Sequence, residues 1–429
     1  MPSTRSSFWL LAAIIAVVAV VIYAPTWSYD YSHLDDNELI VDQRLFLAKP
    51  PGLFAVFSRP YLPGASNTYY RPIVTLSLMI NAQFSGIRPF GYHFTNGLFH
   101  AVASVLVLAL LRQLSLGVRP AFLAALFFVV HPVHAASVAW IPGRNDLLLG
   151  IFALGAFLLL LKSHHRPGPV PIVGHFLCLL GALFSKETAV CLPLLFVACL
   201  FAISGKRKNL RLRWLGAGWA CALLVYFACR STVITTSRSY WSGLAKSSVA
   251  QWPVLLSDIG KLLLPLRLQV LAAPVDTVAW PGLVVILGVV ITLWLVRGVR
   301  RGVVAFAILL MLAPSLMGLL ATPLVVLENR LYLAVAGFSV LLGEVLRAIQ
   351  TGRARYAKAA PVVVAACSVV LSIVTLRYSR NFRDSDQFRM AAIKASPHSY
   401  LAMYLNFGKS RQVANGPPAS RAGTGGPAK

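Results

Sequence analysis

The 429 residues are 58% hydrophobic and only 12% charged, with mean hydropathy +0.72. A soluble domain carries about 25% charged residues, so a soluble globular fold is excluded and a polytopic membrane protein is expected. The net charge of +26 does not argue for nucleic acid, because basic loops beside apolar spans serve topology and anionic headgroups.

The first apolar run, Phe8 to Ala24, ends in VVIYAPTWS. It lacks a small-x-small cleavage site and many spans follow, so an uncleaved first helix is expected. Directly behind it SYDYSHLDDNELIVDQ holds Asp30, Asp35, Asp36, Glu38 and Asp42, five of the thirteen acidic residues. The connection from Pro25 to Tyr92 is the longest. Its run PIVTLSLMINAQF from Pro72 is too short to span and is expected as a helix along the membrane surface.

Candidate spans fall at about 8–24, 92–111, 119–131, 146–161, 170–184, 188–204, 214–230, 280–297, 302–322, 330–347 and 358–377. The basic clusters KSHHR from Lys162, GKRKNLRLR from Gly205, RGVRR from Arg297 and RAIQTGRARYAK from Arg347 are expected on the cytoplasmic side. That requires run 250–268 not to cross, and its Pro253, Asp258, Lys261 and Pro265 suit a re-entrant or interfacial segment. The expected fold is an all-α membrane bundle of about eleven helices, with a cytoplasmic N-terminus and an external C-terminus. Every acid except Glu344 then lies toward the external side. Carboxylates contribute little to orientation, so their placement points to use there. All six cysteines (Cys178, Cys191, Cys199, Cys221, Cys229 and Cys367) sit in apolar runs, which predicts neither disulfide nor metal. The tail from Asn415 is Gly/Pro/Ala-rich and expected to be disordered.

Four stretches carry chemistry, each with a plainer alternative. Asp35 and Asp36, with Glu38 nearby, are adjacent and so point to different partners. One is placed to accept a proton from a hydroxyl, its affinity raised by the neighbouring acid; the alternative is a helix N-cap. In HPVHAASVAWIPGRND, Arg144 suits a phosphate and Asp146 suits a helix cap, while His131 and His134 lack the further ligands that a metal requires. A structural turn is the rival there. In FSKETA, Lys186 and Glu187 interrupt an apolar hairpin, as a site or as a polar turn with a snorkelling lysine. In VVLENRLYLAVAGF, Glu328, Asn329, Arg330 and Tyr332 stand at the mouth of a helix, as a site or as an anchored turn.

In this order, Asp-Asp, His-Pro-x-His with Gly-Arg-x-Asp, Lys-Glu and Glu-x-Arg-x-Tyr resemble the transmembrane-and-TPR-containing O-mannosyltransferases and their bacterial relatives, in the GT-C superfamily. The resemblance covers about residues 20–410. It implies an inverting transferase that moves a monosaccharide from a polyprenyl-phosphate donor to a hydroxyl acceptor, protein or glycan, on the external face of a bacterial inner membrane. It implies Asp36 or Asp35 as base, with Asp36 favoured, and Arg330, Arg144 and Lys186 on the departing phosphate. Tyr70 and Arg71 would line the site, and neither metal nor cofactor would be needed. It divides the chain into a GT-C-like domain (1–378), a degenerate TPR start (379–414) and the tail (415–429), without the acceptor-gripping TPR arm of the family. The residues alone also admit a transporter or flippase of a lipid-linked or anionic substrate. That reading is weakened by charges at helix ends rather than at the midplane and by the absence of an inverted repeat. A GT-C-like scaffold without catalysis is the remaining alternative.

Overall fold

A computed structural model describes residues 3–32, 34–49, 52–62, 69–204, 211–234, 252–321, 326–352 and 356–404. Most of the basic cluster from Gly205, residues 405–414 and the tail fall outside them. Among the described residues all regular elements are helical, apart from one isolated bridge between Ala272 and Val326.

The chain enters through α1 (Ser3–Tyr23), an apolar helix. The connection behind it carries two short helices, α2 (Arg44–Ala48) and α3 (Pro72–Ser85). Pro72 opens α3, where its missing N–H costs nothing, and Gly86 closes it at φ +56°, a left-handed value that favours glycine. At fourteen residues α3 reaches about 21 Å, short of a ~30 Å hydrocarbon layer.

Next come α4 (Pro89–Gln113), α5 (Val118–Val129), the single turn α6 (Ala135–Val138) and α7 (Arg144–His165). Between α5 and α6 the path bends by 44°. Pro132 lacks an N–H and pushes His131 into extended backbone, φ −70° and ψ 125°, so the helix cannot run through. The rest of the bundle is α8 (Pro169–Leu183), α9 (Leu192–Ser204), α10 (Arg211–Ser231), α11 (Trp252–Lys261), α12 (Trp280–Leu295), α13 (Arg301–Ala321), α14 (Tyr332–Thr351) and α15 (Ala359–Ser379). A last helix, α16 (Ser385–Ala395), is capped by Asp384, which accepts from the Gln387 N–H at 2.8 Å.

Each of the eleven expected spans coincides with an apolar helix, and among the described residues of the run 250–268 the one helix is the ten-residue α11. Six helical segments are long and apolar enough to cross a membrane, seven if the bent α5–α6 pair counts as one span. The chain is therefore a multi-pass membrane protein. The apolar helices α8, α9 and α12 are shorter.

Contacts between helix ends constrain the count further. The Asp30 N–H, just beyond α1, donates to the Arg383 carbonyl just beyond α15 at 2.8 Å. Those two exits therefore share a face, which an even total of crossings would forbid. Seven satisfies this condition and so does eleven; six does not. At the opposite end the buried Glu344 of α14 accepts from Arg300 and Arg347, both at 2.6 Å, locking the α12–α13 connection against α14.

In a cysteine-free background, Asp42→Cys and Tyr400→Cys are expected to react with a membrane-impermeant thiol reagent from one side, and Arg301→Cys only from the other. Labelling of positions 42 and 400 from opposite sides would contradict the shared face.

Candidate functional site

The charged groups of the four stretches gather at the end of the bundle where α1 exits. The acid pair comes first. Past Asp36 the backbone makes a single π-turn, Asn37–Val41, in which the Asp42 N–H reaches the Asn37 carbonyl at 2.8 Å. Such turns are rare and often found at functional sites. Asp36 makes no cap bond to this turn. Its Oδ2 instead reaches backward, accepting from the Ser32 N–H at 2.7 Å and from the Ser32 hydroxyl, while its Oδ1 has no partner. Asp36 is 1% exposed, and burial pushes its carboxyl up to about 6, aided by the Asp30 charge and opposed by both Ser32 donors.

Asp35 diverges from its neighbour, as adjacent helical residues must, and stays half-buried. Its carboxyl rises to about 7, through burial first and then the charges of Asp36 and Glu38, against the pull of Arg71. Glu38 is also half-buried.

Arg71, at the head of α3, grips Glu187 in a fork, Nη2 to Oε2 at 2.9 Å and Nε to Oε2 at 3.1 Å. The Tyr70 N–H adds a bond to Glu187 Oε1 at 3.2 Å. The guanidinium lies over the rings of Tyr69 and Tyr61, 4.4 and 5.1 Å from their centroids. One residue back, Lys186 turns the other way and places Nζ 2.6 Å from both oxygens of Asp146. Burial lowers the Lys186 ammonium to about 8, with the Asp146 charge opposing. Asn329 Nδ2 donates to Asp146 Oδ2 at 2.8 Å. One carboxylate thus joins the start of α7, the α8–α9 turn and the turn before α14.

Glu328, in that last turn, is buried. It forms an ion pair with Lys261 Nζ at 3.0 Å and accepts from the Gln269 N–H at 2.7 Å and from the Tyr378 hydroxyl at 2.8 Å. Arg330 is half-buried, within electrostatic reach of Tyr69, Asp146, Asp258 and Arg71.

Arg144 belongs to the same neighbourhood, within electrostatic reach of Tyr61 together with Asp35, Arg71 and Glu187, but it is enclosed. Its guanidinium is 0% exposed. It donates to Asn96 Oδ1 at 2.7 Å, Asn81 Oδ1 at 2.5 Å, the Ser77 carbonyl at 3.3 Å and the Tyr92 carbonyl at 2.9 Å. Those partners belong to α3 and α4, so here Arg144 staples both to α7 rather than facing an opening for a phosphate. His131, His134 and Tyr332 also point inward. His131 Nε2 meets the Leu262 carbonyl at 3.2 Å, and Tyr332 Oη meets His100 Nδ1 at 2.8 Å. The His134 ring packs between Phe128 and Tyr332, each 4.5 Å away by centroid. Among the described residues no group of three or more His, Cys, Asp or Glu side chains is placed to hold a metal.

The structure adds residues that the motif reading passed over. Asp258, 6% exposed with Oδ1 unpartnered, and Lys261 lie one turn apart on α11 and face Glu328. Burial lifts Asp258 to about 6, with Lys261 opposing. An acid and a base three residues apart in an apolar run are the signal that the sequence offers for them. Ser32 and Trp140 carried no signal of their own.

No family model matches the chain. It is similar to protein O-mannosyl-transferase TMTC3 of Mus musculus, at 30% identity over 199 residues, 44% of this chain and 21% of that protein. It is similar to protein O-mannosyl-transferase TMTC4 of Homo sapiens at 35% over 175 residues, 36% of this chain and 23% of that protein. For protein O-mannosyl-transferase F38B6.6 of Caenorhabditis elegans the figures are 36% over 137 residues, 30% and 20%. These names match the family that the motifs resemble. The matches span about a fifth of the length of these relatives.

Two expectations follow for stability. Lys186→Met leaves Asp146 buried with only Asn329, and breaking one partner from such a pair costs about 3–5 kcal/mol, readable as loss of thermal stability in detergent. Asp35→Asn should act the other way in a pH-dependent manner. A carboxyl raised from 3.8 to about 7 favours folding while protonated, and that contribution is lost as pH rises through the folded value. The variant should therefore melt higher than the parent at about pH 8 and no higher at about pH 4. An equal difference at both would contradict the raised affinity.

Proposed function

We propose that the chain is a membrane glycosyltransferase that moves a monosaccharide, mannose by the names of its relatives, from a polyprenyl phosphate to a hydroxyl acceptor. The observation that carries the reading is the convergence at one bundle end of a half-buried acid of raised proton affinity with half-buried and buried cations. The names of the relatives support a protein acceptor. In this reading the site faces the outside of a bacterial inner membrane, eleven helices cross, residues 1–378 form the GT-C-like domain, and residues from 379 begin a TPR-like helical extension.

Asp35 is the better base of the two. A general base must come within about 2.6–3.2 Å of the hydroxyl it deprotonates. Asp36 is closed off, and its Oδ2 is engaged with Ser32. Asp35 is only half-buried, and a proton affinity near neutrality suits the transfer. Asp36 then serves Asp35 as a nearby negative charge.

The acceptor oxygen attacks the anomeric carbon on the face opposite the phosphate, so the configuration inverts. As that C–O bond forms, Asp35 takes the hydroxyl proton. The bond from the anomeric carbon to the phosphate oxygen breaks, and its electron pair leaves with the polyprenyl phosphate. Negative charge grows on that oxygen, where Arg330 stabilises it, while Lys186, paired with Asp146, holds the turn behind it. Arg71 holds Glu187 and orders the rim. Arg144, enclosed by Asn81, Asn96, Ser77 and Tyr92, builds the scaffold and is not assigned to the donor. Every step in this sequence uses the chain's own groups.

With a polyprenyl-phosphate mannose donor and a Ser/Thr-containing peptide acceptor, Asp35→Asn should lower transfer by about 100- to 10,000-fold while the protein stays folded. The parent rate should rise with pH through about 7, following ionisation of Asp35. Arg330→Ala should cost about 2–4 kcal/mol in transition-state stabilisation, with Lys rescuing only part. Normal transfer by Asp35→Asn would refute the assignment of the base.

A further inference from the structure

The surroundings of Asp36 form a connected relay. Trp140 Nε1 donates to the Ser32 hydroxyl oxygen at 3.0 Å, and that hydroxyl donates in turn to Asp36 Oδ2. The Ser32 N–H reaches the same carboxylate oxygen at 2.7 Å. Trp140 is buried against Phe388 of α16, with ring centroids 5.9 Å apart. Beside it runs the bond from the Asp30 N–H to the Arg383 carbonyl at 2.8 Å. Chain from the far end of the sequence thus braces the segment that carries the acid pair.

We propose that Ser32 and Trp140 are positioning residues: they aim one hydroxyl hydrogen at Asp36, keep that carboxylate ionised, and through its charge tune Asp35. The tuning matters to catalysis only if Asp35 is the base, so that part rests on the transferase reading.

The chemistry is directional. A hydroxyl oxygen that accepts from an indole N–H keeps its own hydrogen to donate elsewhere. Donors to an ionised carboxylate favour the ionised form. At Asp36 both Ser32 donors oppose burial and the Asp30 charge. At Asp35 the Asp36 charge is the largest upward influence after burial. The other titratable and charged groups facing the pair are Asp30 and Tyr31 from the same segment, Glu38 from the π-turn, Tyr61 from the following loop and Arg71 from α3. No variant used below removes any of them.

The first measurement needs no sugar donor. In the purified full chain carrying Asp35→Asn, infrared absorption of the protonated carboxyl follows Asp36 alone at this pair. Adding Ser32→Ala should raise its titration by about one pH unit. Trp140→Phe, which keeps the packing on Phe388, should raise it by less, and Ser32→Thr should leave it in place. The second measurement is the acid limb of the transfer rate. With Asp35 present, Ser32→Ala should move that limb to lower pH, because a more readily protonated Asp36 repels Asp35 less. Asp36→Asn should move it in the same direction, and adding Ser32→Ala to Asp36→Asn should then move it no further. An unmoved Asp36 titration in both Ser32→Ala and Trp140→Phe would overturn the relay. Normal titrations without any sugar transfer would instead refute the transferase reading and leave the relay standing.

Discussion

Asp146 is the group on which the site depends. Its carboxylate sits at the start of α7 with Lys186 Nζ at 2.6 Å and Asn329 Nδ2 at 2.8 Å. A buried charge is tolerated only when paired and hydrogen-bonded. Asp146 therefore fixes where the α8–α9 turn and the turn before α14 can lie. Residues adjacent to those anchors then point outward from the hub. Glu187 reaches Arg71, Glu328 reaches Lys261, and Arg330 is left half-buried at the rim. Moving Asp146 would move them all.

The same logic of adjacent residues facing opposite ways recurs in the acid pair. Asp36 turns inward to Ser32, and Asp35 stays half-buried. In Lys186–Glu187 one member braces Asp146 and the other holds Arg71. Each two-residue motif combines an inward brace with a group at or near the rim. That accounts for charged residues appearing in neighbouring positions in a chain with so few acids.

Much of this was legible from residues alone, and the reasons differ by element. Apolar runs separated by basic clusters located eleven apolar helices among the described residues, because partition into hydrocarbon acts through composition that a sequence displays directly. The lengths of α8, α9 and α12, short of a full crossing as straight helices, are set by the turns that end them and not by composition. The charged motifs were found because ionisable residues beside apolar spans are costly and therefore conspicuous. Their partners were not legible. Arg144 suited a phosphate on charge alone, yet Asn81, Asn96, Ser77 and Tyr92, distant in sequence, close around it. Burial likewise distinguishes Asp36 from Asp35, and adjacent identical residues do not display it. Ser32 and Trp140 are ordinary residues whose roles exist only through packing.

The most direct measurement is a structure with a non-transferable polyprenyl-phosphate mannose analogue bound. The account requires its phosphate within hydrogen-bond distance of the Arg330 guanidinium and the face of the anomeric carbon opposite the phosphate turned toward the Asp35 carboxylate. A phosphate held at the opposite end of the bundle, beside Arg297 and Arg301, or an anomeric carbon turned away from Asp35, would contradict it.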